Sequence, residues 1–345
     1  MRLSKRHPFV LGIDFGGTKV ALATFDGEGT VLESDRYAFG SAATADQIVA
    51  GAIARAKTLI GRTTQLHSGG CAAVGVSSPG IVLPDRVLLA PNVPGWQELA
   101  LAAQLAAGLG MEPVVGTDVK AAAVAELRWG SLVGHDHAIY LNLGTGIAAA
   151  LVVNGSVLFG ANGAAGELAY NLVDAEAEWL GVHAGRAPLE EVVSGKAIGD
   201  RGAQLTGVSP SASAPSASTS AGVPSSGVPS SGVASSGVAS STTEPSARHV
   251  FQLARTDPAA QHLIDHALRH LAMHVANLAI AVDPSVISVG GGLMGAADSI
   301  LPVLQNAVQA AVPFPPRIVP AHFRYDAALH GAAAMALDQL AHPPR

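Results

Sequence analysis

Three patterns in this chain have the residue types and spacing for chemistry. The first is the turn in "GIDFGGTK", where Gly16, Gly17 and Thr18 follow Asp14. Glycine lets a backbone approach a phosphate closely, with Thr18 and the turn amides as donors, and Asp14 is spaced to hold a water of a magnesium ion. The same residues also make a plain hairpin turn, and both readings stand at this point. The stretch is not a Walker A loop, which needs a Gly-Lys-Ser/Thr end entering a helix, and it is not GxGxxG. A second pattern is Asp118 at the head of an alanine-rich helix, either a carboxylate that accepts a proton or an N-cap. Beside it, Lys120 either lowers the pKa of Asp118, pairs with a phosphate or faces solvent. The third is His262, His266, His270 and His274, one every four residues. Such pairs can chelate a metal, but each step drifts about 40° round a helix. The four form a slanting stripe with no acid to complete a site, which reads as a polar helix flank or subunit contact.

These residues need a scaffold, and the apolar pattern supplies one. Runs at Phe9–Phe15, Lys19–Phe25 and Thr30–Tyr37 are split by Gly-Gly and by Asp26-Gly27, a hairpin signal, which gives a three-strand meander. A helix is expected from Ala45 to Ile60, a buried strand at Ala72–Ser77, a helix from about Gln97 to Leu109, and a short strand at Pro113–Val115 leading into Asp118. The pattern then restarts at "AIYLNLGTGIAAALVVNGSVLFG". In both copies the first turn glycine, Gly16 or Gly144, lies ten residues before the hairpin-turn residue, Asp26 or Asn154. A unit repeated at an offset of 128 residues implies a duplicated, two-lobed α/β protein whose paired turns face one cleft. Further on come a helix from Asp257 to Val282, a buried strand in "VISVGGGL" and a last helix at about Ala328–Leu340.

Composition narrows the partners. The chain has 345 residues, 49% of them hydrophobic, enough for one large or two medium domains. A net charge of −6 without a basic block argues against nucleic acid. The single cysteine, Cys71, excludes an internal disulfide and suits a reducing cytoplasm. The N-terminal apolar run stops at Asp14, too short for a signal-peptide core, and asparagines and glycines break the uncharged stretch 138–166, so neither export nor a membrane span is expected. Residues 206–248, with tandem pentads "GVPSSGVPSSGVASSGVASS", lack aromatics and read as a disordered surface insertion.

The order of motifs carries more than any one of them. The turn at Gly16, "GVSSPGIV" at 75–82, "PNVPGW" at 91–96, Asp118 before a helix, "LGTGI" at 143–147, "GANGAAGE" at 160–167 and "SVGGGL" at 288–293 resemble the ROK family of sugar kinases and sugar-responsive repressors. The resemblance implies an actin-like ATPase (ribonuclease H-like) fold, with a small lobe of 1–117 plus 322–345 and a large lobe of 118–321. It implies phosphate and nucleotide binding by Asp14, Gly16, Gly17, Thr18, Lys19, Gly144, Thr145, Gly146, Gly290, Gly291 and Gly292, with Asp14 holding magnesium through water. Gly80, Asn92, Thr117, Asp118, Glu167, Tyr170 and Glu190 fall at sugar-contacting positions, and Asp118 on the catalytic base. Glu167, in a glycine-rich loop, can accept hydrogen bonds from two sugar hydroxyls or be a solvated acid, and Glu190 can be a sugar ligand or an exposed helix residue.

Two departures from the family pattern stand out. A histidine three residues after the loop glutamate and a CxCGxxGC stretch hold a structural zinc in many members. Here those places have Tyr170 and "GVHAGRAP" at 181–188, leaving His183 alone, so no zinc is expected. The family's Asn-Asp pair is Thr117-Asp118, which shortens one sugar-binding side chain. The expectation is a cytoplasmic, homodimeric, ATP- and magnesium-dependent glucokinase-like enzyme acting at O6. Its alternatives are an amino sugar or N-acyl hexosamine as acceptor, polyphosphate as donor, or a non-catalytic sugar sensor. Against the sensor, Phe9 begins the first strand with no room before it for a winged helix.

Overall fold

The computed structural model describes residues 8–40, 42–67, 69–90, 94–174, 181–205 and 246–341. Its first half runs β1 (Phe9–Phe15), β2 (Lys19–Phe25), β3 (Val31–Ala38), α1 (Ala45–His67), β4 (Cys71–Ser78), a small hairpin β5 (Ile81–Val82) and β6 (Val87–Leu88), α2 (Leu101–Leu109), β7 (Pro113–Thr117) and α3 (Asp118–Trp129). Its second half runs β8 (Ala138–Leu143), β9 (Ile147–Val153), β10 (Ser156–Val157), α4 (Glu190–Val193), α5 (Gly195–Leu205), α6 (Ala247–Leu253), α7 (Pro258–Val282), β11 (Val286–Gly290), α8 (Ala297–Ala311), β12 (Arg317–Pro320) and α9 (Ala327–Ala341).

The duplication expected from the glycine turns is present in the sheets. One has the order β3-β2-β1-β4-β7, the other β10-β9-β8-β11-β12. In each, the first strand pairs antiparallel with its hairpin partner and parallel with the strand that returns after a helix. Both central strands are near-continuous apolar runs, as strands covered on both faces must be. Ile48, Val49, Ala52 and Leu59 of α1 and Leu101 and Leu105 of α2 fill one face of the first sheet. Leu329, Ala333 and Ala336 of α9 fill the other. The second sheet packs on one side against α7 and α8 and on the other against Val119, Ala122 and Ala123 of α3. The two inner helices meet where Gly331 of α9 lies on the Ala121 carbonyl of α3, with no room for a Cβ.

Local chemistry sets the helix ends. Asp257 accepts from Ala260 N–H at 2.8 Å with Pro258 in the first turn, and Asp283 in the left-handed conformation closes α7. Several boundaries differ from the sequence reading. The first helix runs on to His67 because Thr63 takes a core slot, its hydroxyl 2.8 Å from Thr24 Oγ1. The helix expected from Gln97 starts at Leu101, after a turn around the buried Trp96. The turn after β2 is not a two-residue Asp-Gly hairpin. Asp26 Oδ1 accepts from Glu28 and Thr30 N–H, and the left-handed residue is Gly29. Helices α4, α5, α6 and α8 and strand β12 were not expected. Residues 206–245 of the serine-rich insertion lie outside the described residues, whereas 246–248 are described and lead into α6. No helix among the described residues is long and apolar enough to cross a membrane.

Candidate active site

Three parallel strands of the first sheet end side by side, and their registers bring the chemistry to one edge. Asp14 of β1 is opposite Ser77 of β4, and Ser78 is opposite Thr117 of β7. Ligands of open α/β sheets gather beyond such carboxyl ends. Ser77 Oγ donates to Asp14 Oδ1 at 2.8 Å. Burial pushes the Asp14 carboxyl up to about 6, with the Ser77 bond opposing and Asp118 adding repulsion. A buried carboxylate with one hydroxyl donor and the Lys19 charge nearby fits a site for the outer shell of a divalent cation. Gly17, Thr18 and Lys19 are exposed at the turn beyond it, and Gly16 N–H donates to Lys19 O at 2.9 Å.

At the next strand end the roles of two neighbours differ from the sequence reading. Thr117, not Asp118, is the N-cap of α3, its hydroxyl accepting from Lys120 N–H at 3.3 Å. Thr117 is buried, and that bond occupies its acceptor. Asp118 is the first helical residue and accepts from Val119 N–H at 2.8 Å. Its side chain is open to the cleft, yet protein crowds it enough that burial pushes its carboxyl up, while the Val119 bond and the Lys120 charge oppose. Lys120 does not face solvent and is not free for a phosphate. It is 1% exposed, its Nζ donates to Gly163 O at 2.9 Å and lies 3.9 Å from Glu167 Oε1. Burial lowers its pKa against the pull of Glu167 and Asp118.

Glu167 is therefore no freely solvated loop acid. Burial raises its pKa, Lys120 lowers it and Glu190 raises it. Glu190, at the start of α4, is half-buried and accepts from Ile147 N–H at 3.0 Å, so it is not an exposed helix residue. Burial leads the upward shift of its carboxyl. Tyr170 completes the group, its hydroxyl pushed up by burial and then by Glu190 and Glu167. Asp118 and Glu167 thus bear on Lys120, and Glu190 and Tyr170 extend the chain of interacting groups beyond Glu167.

The second glycine turn lies on the other lobe. Gly144 N–H donates to Gly146 O at 2.9 Å, and Gly195 N–H donates to Gly144 O at 2.9 Å. A cavity of about 620 Å³ opens here, lined by Gly144, Thr145, Lys196, Arg248 and Gly292 among others. Of the three later glycines only Gly292 lines it. Gly290 packs on Tyr140, and Gly291, with φ +94°, lies against the Leu143 carbonyl. Ala203 and Ser246, which flank the serine-rich segment, also line this cavity.

Sequence reasoning missed Ser77, although "GVSSPG" places a hydroxyl where the strand meets its turn, and it missed Lys196 and Arg248, whose short helices carry little apolar pattern. Asn92 lies outside the described residues. Gly80 has φ +75° and abuts the Leu88 carbonyl, so the turn into the β5–β6 hairpin requires a glycine there. The histidine stripe turns inward along α7. His266 and His270 rings are 4.7 Å apart, and His274 is buried with Nδ1 3.3 Å from Asn171 Nδ2. Among the described residues no three His, Cys, Asp or Glu side chains converge as a metal site.

Comparison with known proteins places the chain in a family. Over 312 residues the chain is 27% identical to a glucokinase of Halalkalibacterium halodurans, covering 88% of this chain and 86% of the relative. It is 26% identical to an N-acetylmannosamine kinase of Escherichia coli, covering 95% and 98%. The fold matches a ROK hexokinase from Thermus thermophilus with a TM-score of 0.74 at 24% identity, covering 96% of this chain and 99% of that one. A ROK glucokinase from Streptomyces griseus, solved with glucose and AMPPNP, matches with a TM-score of 0.66 at 24% identity, again covering 96% and 99%. The two-lobed fold is thus the actin-like one of these sugar kinases. The ROK family model matches residues 10–339, and the chain belongs to the ROK family.

Proposed function

We propose that this chain is a sugar kinase that transfers the γ-phosphoryl group of ATP to a hydroxyl of a hexose, O6 of a glucose-like sugar, with Asp118 as general base. The observation that carries this reading is the exposed Asp118 carboxylate at the head of α3, with Glu167 and Lys120 bearing on it and Tyr170 and Glu190 next to Glu167 in the same electrostatic chain. Glucokinases among the relatives support glucose, while an N-acetylgalactosamine kinase of Shewanella, 28% identical, supports an amino sugar as the second reading.

In this mechanism Glu167, Tyr170 and Glu190 bind and orient the sugar. Asp118 accepts the proton of the attacking hydroxyl, the new bond forms from sugar oxygen to γ-phosphorus, and the bond to the β-phosphate oxygen breaks to release ADP. Magnesium, when bound, neutralises charge on the phosphates, and Asp14 would hold it through water. The turns at Gly16–Thr18 and Gly144–Gly146 bring backbone amides toward the phosphates, with the cavity by Gly292 taking the nucleoside. Tyr170, in place of a histidine ligand, goes with a zinc-free sugar loop.

A coupled assay with ATP and magnesium across glucose, mannose, glucosamine, N-acetylglucosamine, N-acetylmannosamine and N-acetylgalactosamine tests this. Selective turnover of one sugar, lost in Asp118→Asn, supports it. Sugar that raises the melting temperature while no sugar is phosphorylated would move the reading to a sensor.

A further inference from the structure

We propose that Lys120 is a positioning residue that holds the loop of residues 160–167, and with it Glu167, against the N-terminus of α3. This rests on the sugar-kinase reading above and adds a part to it. A lysine with 1% of its side chain exposed is rare, because removing an ammonium from water is costly unless it is paired and hydrogen-bonded. Lys120 is kept by its bond to Gly163 O at 2.9 Å and by Glu167 Oε1 at 3.9 Å. Ala149 N–H of β9 holds the far end of this loop, donating to Gly166 O at 2.8 Å, while Lys120 grips its middle. Gly160, Gly163 and Gly166 all have positive φ, so its conformation relies on backbone freedom that glycine keeps in the unfolded chain. Its own backbone bonds are long: Gly163 N–H to Gly160 O is 3.4 Å, Ala165 N–H to Phe159 O 3.2 Å and Glu167 N–H to Ala164 O 3.4 Å. The charge-assisted bond from Lys120 reaches the middle of the loop, at Gly163, from another element.

The anchor point matters as much as the bond. Lys120 lies two residues past Asp118, so α3 holds both the base and the clamp on the sugar loop. A shift of that loop would therefore move Glu167 relative to Asp118 without moving the nucleotide cavity, whose lining includes neither. The clamp also acts through charge. The groups that bear on Asp118 are Glu167, Lys120, Asp14 and Tyr140, and those that bear on Glu167 are Lys120, Glu190, Asp118 and Tyr170. Lys120 is the cation of that set, so its removal drives the carboxyls of Asp118 and Glu167 upward.

The test is Lys120→Met, an apolar chain of similar length that suits a buried position, beside Lys120→Gln, which keeps an N–H donor without the charge. Both are measured with whichever sugar of the panel the wild-type protein phosphorylates. The expected result for Lys120→Met is a KM for sugar raised roughly tenfold or more, as for a lost bond to a charged donor, with KM for ATP held within about twofold. The acidic limb of kcat/KM moves to higher pH in both variants, and Lys120→Gln recovers part of the sugar KM. A sugar KM and acidic limb unchanged from wild type in both folded variants would overturn the proposal. So would an equal rise in both KM values. If Lys120→Met does not fold, Lys120→Gln decides through the same two readouts. Wild-type protein that phosphorylates no sugar would instead sink the underlying kinase reading, so the two failures are distinct.

Discussion

The two glycine turns occupy the same place in two sheets of the same topology, yet they do different work. In the first, Asp14 precedes Gly16 by two residues, and in the second the equivalent position is Asn142, two before Gly144. A carboxylate on one lobe thus answers a neutral amide on the other. The first turn is also open, since a Cβ on Gly17 would meet nothing within 4 Å. The second is braced, because Glu190 Oε2 sits where a Cβ on Gly146 would go and bonds Ile147 N–H at 3.0 Å. Duplication kept the frame while the surroundings diverged: the first turn follows a carboxylate and is open, and the second follows an amide and is packed against α4 and α5. The acid that our reading makes the base, Asp118, stands at the start of the helix that passes from one sheet to the other.

That contrast can be broken in order of expected effect. Asp118→Asn removes the base but keeps the shape, and kcat should fall by about a thousandfold, within the range for general-base catalysis, with the melting temperature little changed. Measurable wild-type turnover in that variant would end the base assignment. Asp14→Asn makes the first turn resemble the second. Activity should drop about a hundredfold as the cation loses its anchor. Stability should move the other way: a carboxyl raised to about 6 in the fold is costly to keep ionised above that pH, so the variant should melt at the same temperature or higher near pH 7.5. The wild type should show the same group in its pH profile, with kcat/KM declining as pH falls through about 6 and Asp14 becomes protonated. A flat profile from pH 7 to 5 would separate Asp14 from turnover. Smallest is the glycine pair. Gly146→Ala should lower stability by about 1–2 kcal/mol, the scale of losing the Glu190 bond, whereas Gly17→Ala should leave the melting temperature alone and raise KM for ATP. Calorimetry beside nucleotide kinetics would expose equal behaviour of the two, which would mean that the lobes are less different than their surroundings indicate.

The sequence revealed the parts of this fold that depend on local pattern. The strand runs, the ten-residue spacing from Gly16 to Asp26 and from Gly144 to Asn154, and Asp118 at a strand-to-helix junction were all legible, because apolar period and glycine placement act over a few residues. What was hidden depends on distant partners. Lys120 is fully buried only because Gly163 and Glu167 come to it from another element. Glu190 could be a sugar ligand or an exposed helix acid by sequence, and its bond from Ile147 N–H, which half-buries it, comes from a residue 43 positions away. Thr117 and Asp118 are both good caps, and which one caps is decided by where β7 ends. Helices α5 and α6 are short and flank the serine-rich segment, so no long apolar stripe announces them.

The position of α9 has a consequence for how the protein is made. Its residues Leu329, Ala333 and Ala336 cover Val10, Ala21, Phe25 and Ala73 of the first sheet, and a Cβ on Gly75 would collide with the Ala332 carbonyl. β1 and β2 are therefore completed by a helix about 300 residues further along the chain. Until residues 327–341 leave the ribosome, one apolar face of that sheet has no permanent cover, and the closure of its core is among the longest-range contacts in the chain. The core of the first sheet can thus close only after the residues of the second sheet have been made.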